Sequence, residues 1–180
     1  MKFTPLAIAG AFEITPDLIR DERGHFARTF CEQEFGKAGL ETRWVQMNLS
    51  HTGARGTLRG MHFQRDPAGE AKLIRCTQGR VFDVLVDLRA ASPTFGQYRA
   101  VELGADAGNA IYIPRGCAHG FQTLTDDATL HYCHSHRYSP GHEGGVSPLD
   151  PDLAIAWPLP IAHMSDRDRS LPPFKDIDRL

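Results

Sequence analysis

Short runs of alternating or β-branched apolar residues recur along most of the chain, separated by Gly, Pro, Asp or Ser. The clearest runs lie at 72–76, 80–87, 110–113 and 129–133. Runs of this length, without helical patterns between them, predict an antiparallel barrel or jelly roll and not a parallel α/β sheet. One helix is predicted at 31–40, with Gly39 as its stop signal. The polar tail, 165–180, is predicted to lie irregularly across the barrel surface.

The chain has 180 residues, a size that predicts a single domain over 1–180. Twenty Lys and Arg residues against 22 Asp and Glu give a net charge of −2, so nucleic acid is not an expected partner. No apolar stretch approaches the roughly 20 residues needed to cross a bilayer. The first residues lack a signal-peptide pattern, so no membrane contact and a cytoplasmic location are expected. The four cysteines have no metal-type spacing and are expected to be buried thiols.

A four-point motif in the middle of the chain points to one kind of barrel. Gly108, Pro114, Gly116 and His119 match G-x5-P-x-G-x2-H, the second motif of the cupin jelly rolls. A Pro-Gly turn followed by a strand places the imidazole of His119 in the mouth of a barrel. The fold predicted is therefore all-β, a cupin-type jelly-roll barrel with a few short helices.

The first cupin motif is present without its usual metal ligands. Its nearest positions are Gly56, His62, Gln64, Lys72 and Gly79, with a longer gap than usual before Lys72. A protonated lysine has no lone pair to offer a metal ion, and His62 and His119 alone would hold one poorly. No metal and no other cofactor are therefore expected.

The ammonium of Lys72, at a position where other cupins have a metal ligand, suggests a reaction that does not need a metal ion. The ammonium of Lys72 can stabilise an oxyanion such as an enolate, which favours proton abstraction next to a carbonyl. His62 is the candidate base because the ordinary pKa of histidine lies near working pH, and Tyr132 can supply a proton as the acid. A lone strand His or Tyr is more often structural, and the combination at cupin positions favours the functional interpretation.

Seven ordered segments, spanning about residues 5–173, resemble the dTDP-4-dehydrorhamnose 3,5-epimerase family. They lie at 21–26 (DERGHF), 46–50 (QMNLS), 56–64 (GTLRGMHFQ), 71–76 (AKLIRC), 86–96 (VDLRAASPTFG), 113–121 (IPRGCAHGF) and 165–169 (SDRDR). The resemblance implies a metal-free epimerase that inverts C3 and C5 of a dTDP-4-keto-6-deoxyhexose through an enolate.

The resemblance also implies residue roles. His62 would be the base, oriented by Asp168, with Lys72 stabilising the oxyanion, Tyr132 as the acid on the opposite sugar face, and His119 behind these groups or touching the sugar. The residues implied to bind the diphosphate are Arg23 and Arg59, and those implied around the base and its sugar are Phe26, Gln46, Asn48 and Tyr138. A surface ion pair for Arg59, and strand-edge hydrogen bonds for Gln46 and Asn48, are the structural alternatives.

Arg28 departs from the family pattern, which commonly has a carboxylate at this position to accept the N3–H of thymine. A guanidinium only donates, so Arg28 could contact carbonyls of thymine, the acceptor edge of cytosine or a phosphate oxygen. Its structural alternative is an ion pair with Asp21 or Glu22, or a solvent-exposed position. dTDP is retained as the expected nucleotide.

Members of the family are homodimers with exchanged amino-terminal strands, so Arg23 and Phe26 would complete the neighbouring site. Four alternatives remain open. They are an epimerase acting at one carbon of another NDP-4-keto-deoxysugar, a ketoisomerase on the same frame, a non-catalytic sugar-binding cupin, and a metal-dependent cupin oxygenase.

Overall fold

Two antiparallel β-sheets pack face to face in the computed structural model, which describes residues 1–180. The predicted all-β jelly roll with a few short helices is confirmed. The helices are α1 (Glu32–Lys37) and α2 (Asp166–Arg169), with 3-10 turns at Pro140–His142 and Phe174–Asp176. The strands are β1 (Lys2–Pro5), β2 (Phe12–Thr15), β3 (Leu18–Asp21), β4 (Gly24–Ala27), β5 (Gln46–Thr52), β6 (Leu58–Gln64), β7 (Lys72–Gln78), β8 (Arg80–Asp87), β9 (Tyr98–Gly104), β10 (Ala110–Ile113), β11 (Cys117–Thr123), β12 (Ala128–His134) and β13 (Glu143–Gly145).

The strand order places the seven-residue strand β5 at the edge of a sheet, with a hydrogen-bonded neighbour on one side only. The larger sheet has the order β1-β2-β10-β7-β12-β5, and the facing sheet has the order β13-β6-β11-β8-β9. Strands β3 and β4 form a separate two-stranded hairpin. Strand β5 therefore lies at the edge of the larger sheet.

The alternation of side chains along β7 and β12 divides the barrel into an apolar end and a polar end. Successive inward positions of the two strands pair as Cys76 with Leu130, Ile74 with Tyr132, and Lys72 with His134. The first pairs join the main aliphatic core between the sheets. The last pair places polar side chains at the same end of both strands, because paired strands keep inward residues side by side.

The predicted strands and helix are present in the structure, and they differ from it only in where some of them begin and end. The runs at 80–87 and 110–113 coincide with β8 and β10, and those at 72–76 and 129–133 fall inside β7 and β12. The helix predicted at 31–40 is shorter, because Gly39 takes a φ of +72° and the Leu40 N–H donates back to the carbonyl of Phe35. This left-handed glycine ends the helix, so that α1 stops at Lys37 and not at residue 40.

The prediction of an irregular tail is wrong at one point. Residues 165–180 contain α2, whose Ser165 hydroxyl accepts a hydrogen bond of 3.1 Å from the backbone N–H of Asp168. This cap fixes the turn that directs Asp168 inward. All four cysteines are unpaired, although Cys31 is only partly buried. No helix combines the length and the apolar character that crossing a membrane requires.

Candidate active site

A cavity of about 1130 Å³ opens at the polar end of the barrel. Pockets for small molecules have volumes of roughly 300–1,000 Å³, so this cavity has room for a nucleotide sugar. Nine of the twelve predicted site residues line it: Gln46, Asn48, Arg59, His62, Lys72, His119, Tyr132, Tyr138 and Asp168. Arg23, Phe26 and Arg28 do not.

His62 and Asp168 form a close pair on one wall of the cavity. The Nε2 atom of His62 lies 2.7 Å from Oδ1 of Asp168, whose side chain is buried. Burial raises the pKa of Asp168, but the hydrogen bond and charge of His62 and the bond from the Gly60 N–H outweigh it, so the pKa is lowered. An ionised carboxylate only accepts, so Nε2 of His62 carries the proton. Nδ1 is then free to accept a proton, as a general base requires.

Gly60 allows this wall to form. It has a φ of +112°, and a Cβ there would lie 2.5 Å from the Gly120 Cα and 2.7 Å from the His119 carbonyl oxygen. Only glycine fits this close approach of β6 to β11. The approach places His62 directly opposite His119 in the strand register. The N–H of Gly60 also donates to Oδ2 of Asp168 at 3.2 Å, so both carboxylate oxygens are occupied.

Lys72 is buried in the cavity wall next to His62. Its Nζ donates to the backbone carbonyl of His62 at 3.3 Å and lies 3.4 Å from Oε1 of Glu70. The expectation that a cation occupies the barrel mouth is therefore met by the position of this ammonium. Its positive charge lies within the same cavity as the imidazole of His62.

Tyr132 reaches the cavity from β12. Burial raises its pKa well above the usual value, so the phenol keeps its proton at neutral pH. Its ring stands edge-on to His119, with centroids 5.8 Å apart, and stacks on His134 at 5.9 Å. Tyr132 is partly buried, and a protonated phenol held by two neighbouring rings is able to act as a proton donor.

His119 has a buried carboxylate partner that the sequence did not indicate. Its Nε2 lies 2.9 Å from Oδ2 of Asp83, and both side chains are buried. Burial lowers the pKa of His119 and raises that of Asp83, despite their mutual attraction. Both shifts favour the uncharged forms. His119 also lines the cavity and contacts the ring of Tyr132.

The residues expected around the nucleotide line the outer part of the cavity. Gln46 and Asn48 are on β5, and Gln46 accepts a 2.9 Å hydrogen bond from the backbone N–H of Tyr138. Arg59 makes no ion pair within the chain and donates to Thr52 Oγ1 at 3.0 Å. Its exposed guanidinium therefore retains donors for an anion.

The remaining three predicted residues lie away from the cavity of their own chain. Arg23 forms an exposed ion pair with Asp21, and Phe26 is 70% exposed on the β3–β4 hairpin. Arg28 pairs with Glu34 of α1 at 3.2 Å. The structural alternative for Arg28 is exposure to solvent or an ion pair with Asp21 or Glu22. The side chain is 64% exposed, and its ion-pair partner is Glu34, while Asp21 pairs with Arg23.

Several polar residues of the cavity were missed by the motifs. They are Glu70, His134, Glu143 and Arg167, and Asp83 was missed as the partner of His119. A signal existed for Glu70 and His134, because each lies an even number of residues from a predicted site residue on the same strand or next to it. Arg167 donates to Glu143 at 2.7 Å, a contact between distant segments that no local pattern predicts.

The comparisons with known proteins agree with this geometry. The family model described as dTDP-4-dehydrorhamnose 3,5-epimerase matches residues 5–176. A dTDP-4-dehydrorhamnose 3-epimerase from Streptomyces niveus is 44% identical over 94% of this chain and 82% of its own length. A dTDP-4-dehydrorhamnose 3,5-epimerase from Methanothermobacter thermautotrophicus is 40% identical over 97% of this chain and 95% of its own.

A solved structure shows the same similarity in three dimensions. The dTDP-6-deoxy-D-glucose 3,5-epimerase of Legionella pneumophila, crystallised with dTDP-4-keto-L-rhamnose, is 36% identical and superposes with a TM-score of 0.92. The match covers 98% of this chain and 94% of that one. It also confirms the cupin-type jelly roll as the fold. With a family match over nearly its whole length, this chain belongs to the dTDP-4-dehydrorhamnose 3,5-epimerase family.

Proposed function

We propose that this protein epimerises C3 and C5 of dTDP-4-dehydro-6-deoxyglucose, giving dTDP-4-dehydrorhamnose. The observation that carries the proposal is the meeting of His62, Lys72 and Tyr132 in one cavity, with Asp168 fixing the imidazole. These groups supply a base, an oxyanion partner and an acid, which are the requirements of proton abstraction and return next to a carbonyl. A non-catalytic sugar-binding protein would not need all three.

In the proposed mechanism, Nδ1 of His62 removes the proton from a carbon next to the C4 carbonyl. The electron pair of the broken C–H bond moves to the carbonyl oxygen, and the ammonium of Lys72 stabilises the resulting enolate. Tyr132 then donates its phenolic proton to the opposite face of the same carbon. His62 releases its proton to solvent and Tyr132 regains one, so the enzyme is restored with one centre inverted.

The nucleotide part of the substrate would lie along the outer cavity. Arg59 is placed to bind the diphosphate, since a guanidinium matches phosphate oxygens with paired donors. Gln46, Asn48 and Tyr138 offer amide and phenol groups to the base and its sugar. The Legionella relative, which was solved with a dTDP-linked keto sugar, supports this substrate class.

A homodimer is part of the proposal. The edge strand β5 exposes Met47 and Leu49, and the β3–β4 hairpin exposes Ile19 and Phe26 as a cross-strand pair. Large apolar side chains on an unpaired edge and a projecting hairpin are typical of an interface. We place the hairpin, with Arg23, Phe26 and Arg28, at the cavity of the neighbouring subunit. We also expect the protein to act in the cytoplasm, where nucleotide sugars are made.

Light scattering tests the dimer directly. On size-exclusion chromatography with light scattering, the double variant Met47→Asp, Leu49→Asp should have the mass of a monomer, because a dimer would have to bury two carboxylates at the interface. The matched variant Leu149→Asp changes an exposed leucine outside β5 and should leave the oligomeric state unchanged. A wild-type protein that is monomeric at micromolar concentration would contradict this part of the proposal.

Epimerisation at C3 alone is the second candidate function. The relative with the 3-epimerase name is 44% identical to this chain, and the relative with the 3,5-epimerase name is 40% identical. Both reactions require a base, an acid and a partner for the oxyanion. Incubation with dTDP-4-dehydro-6-deoxyglucose, followed by proton NMR of the product, separates them. Inversion at C3 and C5 supports the main proposal, inversion at C3 alone supports the second, and no inversion contradicts both.

A further inference from the structure

Two buried titratable residues of the cavity have no role in the mechanism above. Glu70 and His134 have side chains that are 8% and 11% exposed, and Nδ1 of His134 lies 2.9 Å from Oε2 of Glu70. The other oxygen of Glu70 lies 3.4 Å from Nζ of Lys72. Both carboxylate oxygens are therefore used, one by an imidazole and one by the ammonium.

The same chain of contacts continues from His134 to the outer cavity. Its Nε2 lies 3.3 Å from Nδ2 of Asn48, and Oδ1 of Asn48 accepts from Nε2 of Gln46 at 3.3 Å. Gln46 in turn accepts from the backbone N–H of Tyr138 at 2.9 Å. A continuous set of hydrogen bonds thus links the nucleotide end of the cavity to Glu70, and the ion pair of Glu70 with Lys72 completes the connection to the catalytic cation.

The direction of every hydrogen bond in this set is fixed by its two ends. The backbone N–H of Tyr138 can only donate, so Gln46 presents its oxygen there and its NH2 group to Asn48. Asn48 then donates to Nε2 of His134, which must be unprotonated. The remaining proton of His134 lies on Nδ1 and is donated to Glu70. Glu70 must be ionised to accept at both oxygens.

The electrostatics of Glu70 agree with this assignment. Burial raises the pKa of its carboxyl group, but the hydrogen bond from His134 and the charge of Lys72 outweigh burial and lower it overall. A carboxylate that only accepts, between two groups that donate, leaves no polar atom of the pair unsatisfied.

We propose that Glu70, held by His134, is a positioning residue that aims the ammonium of Lys72 at the oxyanion. An ammonium has three donors. One goes to the backbone carbonyl of His62 and one to Glu70, so the third is left for the substrate oxygen. Two anchors at the tip of a long, flexible side chain restrict the direction of that third donor. His134 also stacks on the ring of Tyr132. The pair of Glu70 and His134 therefore contacts both the cation, Lys72, and the acid, Tyr132.

This inference rests on the proposed function and is tested by comparing Glu70→Ala with Glu70→Gln in the full-length protein. Glu70→Ala removes the anchor of Lys72, whereas Glu70→Gln keeps an oxygen that Lys72 can use. Misplacing a catalytic group by about 1 Å can lower a rate about 100-fold, so we expect kcat of Glu70→Ala to fall about 10- to 100-fold. KM and the affinity for dTDP, measured by calorimetry, should stay within about twofold of the wild type, since Glu70 does not contact the nucleotide end.

The conservative variant provides a partial rescue. Glu70→Gln keeps an oxygen for Lys72 but turns its NH2 group towards His134, so its kcat should lie between those of the wild type and Glu70→Ala. Glu102→Ala, which removes an exposed carboxylate paired with Arg80, should leave kcat unchanged. A Glu70→Ala enzyme with wild-type kcat would overturn the inference. So would a Glu70→Gln enzyme as slow as Glu70→Ala, or a loss of dTDP affinity that parallels the loss of kcat.

A second pair of variants decides the matter if Glu70→Ala does not fold. His134→Gln keeps one donor and one acceptor, while His134→Phe keeps only an aromatic face against Tyr132. We expect kcat of the phenylalanine variant to fall and that of the glutamine variant to be largely retained, and equal kcat values would contradict the inference. Wild-type turnover that His62→Ala abolishes shows that the proposed function holds, whereas an inactive wild type would refute that function instead.

Discussion

Replacing Asp168 with Asn tests the pair that makes His62 a base. In the wild type, Oδ1 of Asp168 accepts from Nε2 of His62 and Oδ2 accepts from the N–H of Gly60. Asn has one oxygen and one NH2 group, so it can satisfy only one of these two donors. If the oxygen faces Gly60, the NH2 group faces Nε2 of His62 and moves the imidazole proton to Nδ1, where the base is needed.

The size of the effect follows from the lost hydrogen bond. A hydrogen bond to a charged group contributes about 1.5–3 kcal/mol. At about 1.4 kcal/mol for each tenfold change in rate, kcat of Asp168→Asn should fall about 10- to 150-fold. His62→Ala removes the base itself and should lower kcat by about 10² to 10⁴-fold.

The assay is epimerisation at saturating substrate, followed by NMR, with Asp166→Asn as the control. Asp166 is an exposed carboxylate on the same helix, so the same substitution there should leave kcat unchanged. The pKa of Asp168 is lowered, so the stability contributed by its carboxylate is present above the ordinary value near 3.8 and is lost as the pH falls below it. The difference in unfolding free energy between wild type and Asp168→Asn should therefore shrink in acid. A kcat within twofold of wild type would refute the reasoning.

Three further substitutions have expected outcomes. Lys72→Met keeps the stem and removes the charge, and loss of one oxyanion partner should lower kcat about 10²- to 10³-fold with dTDP affinity unchanged, as calorimetry would show. Tyr132→Phe should still exchange substrate protons with deuterated solvent but fail to complete inversion, and equal loss of both activities would argue against Tyr132 as the acid. Gly60→Ala should destabilise the fold by at least about 1–3 kcal/mol in urea unfolding, because its Cβ would meet the backbone of Gly120, and a normal midpoint would contradict this close approach.

The sequence predicted the fold class because its signals are local. Alternating apolar runs and the turn residues Gly108 and Gly116 report strands and turns directly, and both glycines take left-handed conformations. The helix at the end of the chain was missed because α2 has only four residues, too few for any apolar period. Its Ser165 cap, three residues before Asp168, was the one local sign of it.

The site was predicted in part for the same reason. Motif residues such as His62 and Lys72 could be named from the sequence, and the structure brings them together. The pairing of Glu70 with His134 and of Asp83 with His119 joins segments that are distant in the sequence, and such contacts depend on strand register, which no single segment encodes. The sequence also named Arg23 and Phe26, which lie outside the cavity of their own chain, so their roles depend on the proposed partner subunit.

Deuterium incorporation tests the central claim most directly. Wild-type protein and dTDP-4-dehydro-6-deoxyglucose are incubated in deuterated water, and the label at C3 and C5 is read by NMR. If His62 removes these protons to form an enolate, the wild-type product carries solvent deuterium at both inverted carbons, and His62→Ala shows no label above the enzyme-free rate. Inversion without solvent deuterium, or exchange by His62→Ala at the wild-type rate, would contradict the account.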